Sequence, residues 1–284
     1  IRPRHTPFVA NEFIVVDADG KQREIRSPPA QKGRLQSYPQ PTFLPTVVDL
    51  NVDNLRTEFR AHFTIARAVS SLQRDKSFQI RHRVYCEELG FEPIRADSKE
   101  SDEYDDGAEH ILIQSVRTGT PVGCARVVLP HDLERALPIE ASGAWMAPRP
   151  LFDANGRPVV AELSRLAVLH EFRRRRGEQG TPINLADEDF GTPVRPRFPH
   201  IPVGLYLGAL AIANQRAIAS LVVLTEERLA RHFHRLGVLL VQVGTAVEFH
   251  GLRAPYMMNV RETVDGLPPA IGALYDMIHG EIWN

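Results

Sequence analysis

The spacing of apolar positions divides the chain near residue 52. Before that point prolines recur among polar residues, and the stretch 12–21 alone predicts a short hairpin, which would turn at Asp19-Gly20. After it, apolar residues recur at the three-to-four-residue spacing of helices or in the short runs typical of strands. We therefore predict an extended Pro-rich arm over 1–50 and a folded domain over 51–284.

The folded region predicts helices alternating with strands. Helical spacing covers 52–63, 71–89, 203–219, Thr225 to Leu236, and 268–279. Strand-like runs cover 62–69, 110–116, 121–129, 159–169, 220–224, 238–243 and 245–250. The runs 110–116 and 121–129 flank the turn Arg117–Thr120 and predict an antiparallel hairpin. This order predicts an α/β (α+β layered) fold with a mixed, mostly antiparallel sheet and helices on both faces.

Two proline-rich stretches interrupt this order. Residues 130–157 predict a loop, and residues 173–200, basic and then rich in Pro and Gly, predict an insertion in the domain. No Gly-x-Gly-x-x-Gly turn follows a strand, and no Gly-x-x-x-x-Gly-Lys-Ser/Thr sequence occurs. The sequence therefore lacks the phosphate-binding loops of these two kinds.

Composition and charge narrow the function classes. The 284 residues carry a net charge of −1 and are 43% hydrophobic, which argues against a disordered chain and against bulk electrostatic binding of nucleic acid. No apolar run approaches the roughly 20 residues that span a bilayer, so we expect no transmembrane segment and a cytoplasmic protein. Two cysteines are too few for a disulfide scaffold.

A metal site is not predicted. Neither cysteine has the spacing of a Cys/His zinc site. His232 and His234 lie two residues apart on a predicted helix and therefore point away from each other, and His250 lies alone.

Charged residues in apolar surroundings mark the candidate chemistry. Arg126 and Arg165 lie inside predicted apolar strands, where an unpaired charge is costly, and the loop 97–109 holds seven carboxylates that need cations. We predict that the strand arginines pair with the loop. Such a network is either structural or the lining of a polar active site. The helix before the loop presents Arg81, Tyr85 and Glu88 on one face, as a substrate-binding face or a solvated one.

Two further features follow on the same strand. Glu162 and Arg165 are three residues apart, so a regular strand would point them to opposite faces, whereas a bulge would bring them to one face and splay the strand. The alternative is a salt bridge on an edge strand. The run Arg173–Arg176 follows directly, either as a solvated patch or as a surface that meets a phosphate or an acidic protein.

Taken in order, these pieces resemble a known superfamily. The stretch Arg81-His-Arg-Val-Tyr85-Cys-Glu-Glu-Leu-Gly-Phe91, then Glu100-x-Asp102-x-x-Asp105, Gly123-Cys-Ala-Arg126 and Glu162-x-x-Arg165 are similar to the acyl-homoserine-lactone (autoinducer) synthases. These enzymes have the acetyltransferase-like GNAT fold and use acyl carrier protein thioesters. Further segments resemble the PEP-CTERM/exosortase-associated acyltransferases, a branch similar to N-acyl amino acid synthases: 83–87, 102–105, 137–140, 162–168 with Phe172-Arg-Arg, and 248–253.

The resemblance implies roles for individual residues. It assigns Glu162, Arg165 and Arg126 to catalysis, with Glu162 as the preferred base, and it implies that the backbone at Leu166, Ala167 and Val168 cradles the phosphopantetheine thioester. The expected substrate-binding residues are Arg81, Tyr85, Phe91, Glu100, Asp102 and Asp105, and the expected carrier-protein docking residues are Arg173, Arg174, Arg175 and Arg176.

We therefore predict an N-acyltransferase. It would move a fatty acyl group from acyl carrier protein, or from coenzyme A, to a small amine, most simply an amino acid, without a metal or redox cofactor. Phe91 stands where autoinducer synthases usually carry Trp, which disfavours S-adenosylmethionine as the substrate. Two alternatives stay open: a homoserine-lactone synthase that uses S-adenosylmethionine, and a non-catalytic module that binds acyl groups or carrier protein.

Overall fold

A computed structural model describes residues 13–16, 22–25, 52–130, 137–145, 151–173, 191–192, 195–196 and 198–284. They belong to two compact units, Ile1–Leu44 and Pro45–Asn284. In the first unit, strands β1 (Phe13–Val16) and β2 (Gln22–Ile25) pair antiparallel, with Phe13 opposite Ile25. The predicted hairpin is thus confirmed, while its predicted turn at Asp19-Gly20 lies outside the described residues.

The second unit alternates helices and strands, as predicted. Its helices are α1 (Val52–His62), α2 (Ser71–Arg81), α3 (Pro138–Ala141), α4 (His200–Gln215), α5 (Glu227–Arg235), α6 (Val260–Asp265) and α7 (Pro269–Trp283). Its strands are β3 (Phe63–Arg67), β4 (Glu109–Ser115), β5 (Pro121–Val128), β6 (Val160–Val168), β7 (Gly191–Thr192), β8 (Arg195–Pro196), β9 (Ser220–Thr225), β10 (Val241–Gln242), β11 (Val247–Glu248) and β12 (Leu252–Asn259).

Eight of the described strands form one mixed sheet. The order is β10-β12-β9-β6-β5-β4-β3, with β11 paired to β12, and β7 and β8 form a separate two-stranded ribbon. Only β6 and β9 pair in parallel among these strands; the other pairs are antiparallel. The predicted fold class is confirmed, and the predicted hairpin is β4–β5.

Helix α4 packs against one face of the sheet and forms the centre of the main core. Its residues from Ile201 to Ala213 are buried, and it contacts β4, β5 and α7. A Cβ on Gly204 would lie 2.7 Å from the Phe59 ring, so the glycine lets the helix approach α1 closely. The opposite face carries α2 and a smaller apolar cluster that includes Ile80, Tyr85 and Leu112.

Several elements differ from the prediction, and Pro138–Ala141 of the predicted loop 130–157 form helix α3. The predicted helix 71–89 is α-helical only to Arg81, and residues His82–Glu88 form a π-helix before Gly90, which has a φ of +64°. The predicted cap Thr225 ends β9, and Glu226 occupies the N-cap of α5. Strand β12 was not predicted, because Pro255 and Gly251 interrupt its apolar run and proline cannot donate to a sheet.

No described helix is long and apolar enough to cross a membrane.

Candidate active site

A bulge in β6 is the backbone feature around which the site is built. Arg126 of β5 lies opposite Ser164, whereas Cys124 lies opposite Ala167, so β6 has one extra residue over this stretch. Arg165 takes up that residue with a φ of +49°, in the left-handed region that non-glycine residues rarely adopt. The predicted bulge in this strand is present, but it lies at Arg165–Leu166 and not between Glu162 and Arg165, because residues 162–164 keep a regular register with β5.

Near this bulge, β6 also ceases to pair with β9, its neighbour on the side away from β5. The parallel pairing with β9 runs from Val160 opposite Ser220 to Glu162 opposite Val222 and is not continued past Glu162. The residues that were expected to cradle a thioester, Leu166–Val168, lie past this end, and β5 still holds them through Cys124 and Gly123. The strand pair thus opens where the acyl donor is expected.

Tyr85 fixes the bulge from the π-helix. Its hydroxyl donates a 2.9 Å hydrogen bond to the Leu166 carbonyl oxygen, and its ring lies 5.7 Å from the guanidinium carbon of Arg165. The side chain is 8% exposed, and burial raises the pKa of its phenol well above the ordinary value. The predicted place of Tyr85 in the amine site stays a prediction; the structure shows that its hydroxyl holds the Leu166 carbonyl oxygen of β6.

Beside the bulge, Arg81 is buried among loop carboxylates. Its Nε donates to Glu100 Oε2 at 2.5 Å, and its Nη1 and Nη2 donate to the two carboxylate oxygens of Asp105 at 2.6 and 3.1 Å. Arg81 and Glu100 are each 1% exposed. Arg81 therefore bridges the end of α2 to the acidic loop from inside the protein.

The two strand arginines complete this network. Arg126 Nη1 donates to Asp102 at 2.5 Å and to Asp105 at 2.8 Å, and Arg165 Nη2 lies 3.2 Å from Glu100 and 3.1 Å from Asp102. The predicted pairing of strand arginines with loop carboxylates is confirmed. Arg126 is fully buried, yet its Nη2 has no hydrogen-bond partner among the described residues.

The network keeps its carboxylates ionised. Burial by itself raises the pKa of Glu100, Asp102 and Asp105, but the neighbouring guanidinium groups outweigh it and hold all three values below their ordinary range. Carboxylates with lowered pKa values are weak proton acceptors. They are suited to holding arginines in place or to meeting a cationic group.

Glu162 behaves differently, although it is a neighbour. It is 3% exposed, and its Oε2 accepts a 2.7 Å hydrogen bond from the Ile139 backbone N–H. Burial raises its pKa to about 8, against the opposing effects of that N–H and of Arg126 and Arg165. Glu162 therefore carries its proton through most of the neutral range. Its predicted role as the base stays a prediction.

Phe91 contacts His250, a residue that the sequence does not predict at this site. Its ring stacks on the imidazole of His250, with centroids 4.2 Å apart and planes inclined by 12°. Phe91 also packs against the apolar cluster that contains Ala167 and Leu169. From the sequence, His250 is weighed only as a metal ligand. The one sequence feature that points to a role for it at the site is its position in the segment 248–253, which resembles the acyltransferases named above. Among the described residues, no group of three or more His, Cys, Asp and Glu side chains could hold a metal ion.

Ion pairs connect the segment after β6 to the π-helix. Arg173 pairs with Glu88 and is 10% exposed, and Arg83 Nη2 donates to Glu171 at 3.1 Å. The predicted role of Arg173 in docking a carrier protein stays a prediction; in the structure its guanidinium pairs with Glu88 and ties the segment to the π-helix. The other expected docking residues, Arg174, Arg175 and Arg176, lie outside the described residues.

Comparisons with known proteins agree with this architecture. Residues 80–181 match the acetyltransferase (GNAT) domain. Similar solved structures include TofI in a ternary complex with an inhibitor and MTA, with a TM-score of 0.50 and 21% identity over 73% of this chain and 99% of that one. At that identity the likeness establishes the fold.

Two other solved structures are similar at lower scores. BjaI, a CoA-dependent acyl-homoserine lactone synthase determined with SAM and isopentyl-CoA, has a TM-score of 0.49 and 17% identity over 77% of this chain and 89% of that one. FeeM, an N-acyl amino acid synthase from uncultured soil microbes, has a TM-score of 0.45 and 15% identity over 72% of this chain and 94% of that one. No curated protein matches the sequence. The GNAT match confirms the predicted fold and the prediction of an acyltransferase-type enzyme.

Proposed function

We propose that this protein transfers a fatty acyl group from a carrier thioester to the nitrogen of a small amine, most simply an amino acid. The observation that carries the proposal is the position of the β6 bulge. It lies just past the end of the β6–β9 pairing at Glu162 and against the buried arginine–carboxylate network. The opened strand offers backbone groups, no longer paired with β9, with which the extended phosphopantetheine arm of the donor can pair. The adjacent arginine–carboxylate network offers charged groups that can bind the amine substrate.

The chemistry this arrangement favours is aminolysis of a thioester. A thioester already carries a good leaving group, so the enzyme mainly positions the amine and stabilises the oxyanion that forms on the carbonyl. Backbone N–H groups near Leu166–Val168 would donate to that oxygen. Tyr85 would hold their direction through its bond to the Leu166 carbonyl oxygen. No metal or redox cofactor has a role in this scheme.

The network supports an amine that also carries a carboxylate. Carboxylates at Asp102 and Glu100 face Arg165, which is 22% exposed and is therefore the arginine of the network that an incoming substrate can reach. A guanidinium offers two parallel donors to a carboxylate group, and the neighbouring loop carboxylates suit an ammonium group. An amino acid presents both charges at short separation.

The acyl donor and the biological setting are finer proposals. Acyl carrier protein as donor follows from the resemblance of the ordered motifs, as does the link to the PEP-CTERM/exosortase system. A carrier-protein donor would place the reaction in the cytoplasm. Coenzyme A thioesters are the alternative donor, and docking of a carrier on Arg174–Arg176 stays a prediction.

Product mass spectrometry tests the proposal. The purified full chain is incubated with hexadecanoyl-acyl carrier protein or hexadecanoyl-CoA and with an equimolar mixture of the twenty amino acids. An N-acyl amino acid, formed with an equal amount of free thiol, is the expected result. Release of methylthioadenosine on addition of S-adenosylmethionine would instead identify a homoserine-lactone synthase. Carrier binding by native mass spectrometry without product from any mixture would identify a binding module.

A further inference from the structure

We infer that the imidazole of His250 is the base that takes the proton from the attacking amine. The inference rests on the proposed function and names a catalytic residue for it. Three independent observations carry it: the stack of His250 on Phe91, the strained backbone of His250, and the protonation states of the other candidate groups at the site.

The stack bridges the two halves of the opened sheet. Phe91 follows the π-helix and packs on the cluster that contains Ala167 of β6, whereas His250 lies in the turn between β11 and β12, and β12 pairs with β9. The contact at 4.2 Å therefore joins the β6 side to the β9 side, past the point at which these two strands cease to pair. An amine that reaches a thioester held on β6 arrives next to this imidazole.

The backbone holds His250 in a costly conformation. Its φ is +52°, and among non-glycine residues of the described chain only Ser98, Arg165 and Ala217 share a positive φ. Two of these four residues, Arg165 and His250, therefore lie at the site. Such strain costs on the order of 1–3 kcal/mol and persists where the surroundings impose it.

The turn that carries His250 is fixed on both sides. Glu248 Oε1 accepts from the Gly251 N–H at 3.0 Å, and the Phe249 N–H donates to the Gly251 carbonyl oxygen at 2.9 Å. The imidazole is thus directed at Phe91 by a closed turn.

Other titratable groups at the described site are poorly suited to accept a proton near pH 7. Burial raises the pKa of Glu162 to about 8, so this residue is already protonated, and the Tyr85 hydroxyl keeps its proton for Leu166. Burial lowers the pKa of His110 to about 4, but this side chain is only 2% exposed beneath the network. The remaining carboxylates pair with arginines: Glu92, Glu100, Asp102 and Asp105.

The charges around His250 favour its neutral form. Partial burial and then Arg253 of β12 lower the pKa of His250 below 6.5; Arg165 of β6 also lowers it, and Glu92, which follows Phe91, opposes them. Glu248 of β11 faces the same turn through its bond to Gly251. Because its pKa is lowered, the imidazole is mostly unprotonated at pH 7. The residue is also exposed, so the imidazole meets both requirements of a base.

The proton balance of the reaction is closed by this residue. The acceptor reacts as its neutral amine, after its ammonium proton has passed to water. The nitrogen attacks the thioester carbonyl carbon and forms the C–N bond, the π electron pair moves to the oxygen, and one N–H proton passes to the imidazole. The tetrahedral intermediate then collapses, and the C–S bond breaks with its electron pair on sulfur. The imidazolium returns the proton to the thiolate, so that amide and free thiol are the products and His250 is neutral again.

The test compares His250→Phe with a matched histidine variant. His250→Phe keeps a ring on Phe91 and removes the base, and His234→Gln changes an exposed histidine of α5 remote from these contacts. Thiol release is measured with hexadecanoyl-acyl carrier protein and the amino acid that the wild-type chain acylates. We expect His250→Phe to lower kcat about 100-fold or more with an acceptor KM within about threefold, and His234→Gln to leave both unchanged.

The pH profile gives a second readout. The wild-type kcat/KM should rise with pH through an apparent pKa below 6.5, and that limb should disappear in His250→Phe, whereas imidazole added to His250→Ala should restore part of the rate. An active wild type whose His250→Phe variant keeps its rate and its acidic limb overturns the assignment alone. A wild type without amide product from any donor removes the proposed function itself, and the assignment with it.

Discussion

The buried, protonated state of Glu162 predicts an unusual dependence of stability on pH. A carboxyl whose pKa is higher in the folded chain than in the unfolded chain holds more protons when folded, so folding is favoured at low pH. Below its ordinary pKa of 4.5, Glu162 is neutral in both states. As the pH rises from 4.5 towards about 8, the unfolded chain gains the freedom to ionise while the folded chain does not. The wild-type protein should lose free energy of unfolding over this window.

The size of the loss follows from the two pKa values. Each pKa unit corresponds to about 1.4 kcal/mol, so the interval from 4.5 to about 8 sets an upper bound of about 5 kcal/mol. Glu162→Gln keeps an acceptor for the Ile139 N–H and cannot ionise. Relative to the wild type, this variant should therefore become more stable as pH rises, by a few kcal/mol between pH 5 and pH 9.

Chemical denaturation at several pH values measures this difference. Both proteins share every other titrating group, so the difference of their unfolding free energies isolates position 162. Glu227→Gln serves as the control, because the Glu227 side chain is 74% exposed and its loss should change the difference by less than about 0.5 kcal/mol at any pH. A Glu162→Gln variant whose relative stability is flat between pH 5 and pH 9 would refute the buried, neutral state.

Three further results are expected. Arg81→Met should cost about 3–5 kcal/mol in urea unfolding, because it removes the buried cation that Glu100 and Asp105 share and leaves them only Arg165 and Arg126, respectively, whereas Arg261→Met, in an exposed pair with Asp265, should cost under about 1 kcal/mol. Tyr85→Phe removes the bond to the Leu166 carbonyl oxygen and should raise the KM for the acyl donor more than that for the amine in steady-state assays; equal effects on both would contradict its role as an anchor of the bulge. Changing Arg174 and Arg175 to Glu should raise the KM for acyl carrier protein in low salt but spare an acyl-pantetheine, and loss of both donors alike would count against a docking patch.

The sequence was sufficient for the elements with undisturbed patterns. The hairpin β4–β5 and helix α4 have continuous apolar signals, and buried arginines in strands require partners wherever they lie, so the pairing of Arg126 and Arg165 with the acidic loop could be predicted. A bulge in β6 could be predicted as well, because a regular strand points Glu162 and Arg165 to opposite faces, but its position at Arg165–Leu166 could not be predicted.

Other features depend on tertiary contacts that local spacing does not encode. The helix beginning at Ser71 widens to a π-helix at His82, which places the Tyr85 hydroxyl on a carbonyl 81 residues further along the chain. Strand β12 contains Pro255 and still pairs with β9, because the Pro255 carbonyl oxygen accepts from the Val243 N–H, so that its nitrogen, on the same edge of the strand, faces away from β9. Without β12, sequence reasoning could not locate the turn that carries His250.

Sequence patterns failed to predict both strand β12 and the role of His250 for the same reason. Because β12 pairs with β9, the turn before it lies on the β9 side of the sheet, and His250 in that turn stacks on Phe91, which lies on the β6 side. His250 has a left-handed φ there, as Arg165 has on the β6 side of the opening. The two strained residues thus lie on the two sides of the opening: Arg165 in β6 carries a fixed positive charge, and His250 in the turn between β11 and β12 carries a titratable ring. When a thioester and an amino acid meet in this opening, Arg165 is suited to bind the carboxylate of the amino acid, and His250 is suited to accept the proton of its amine.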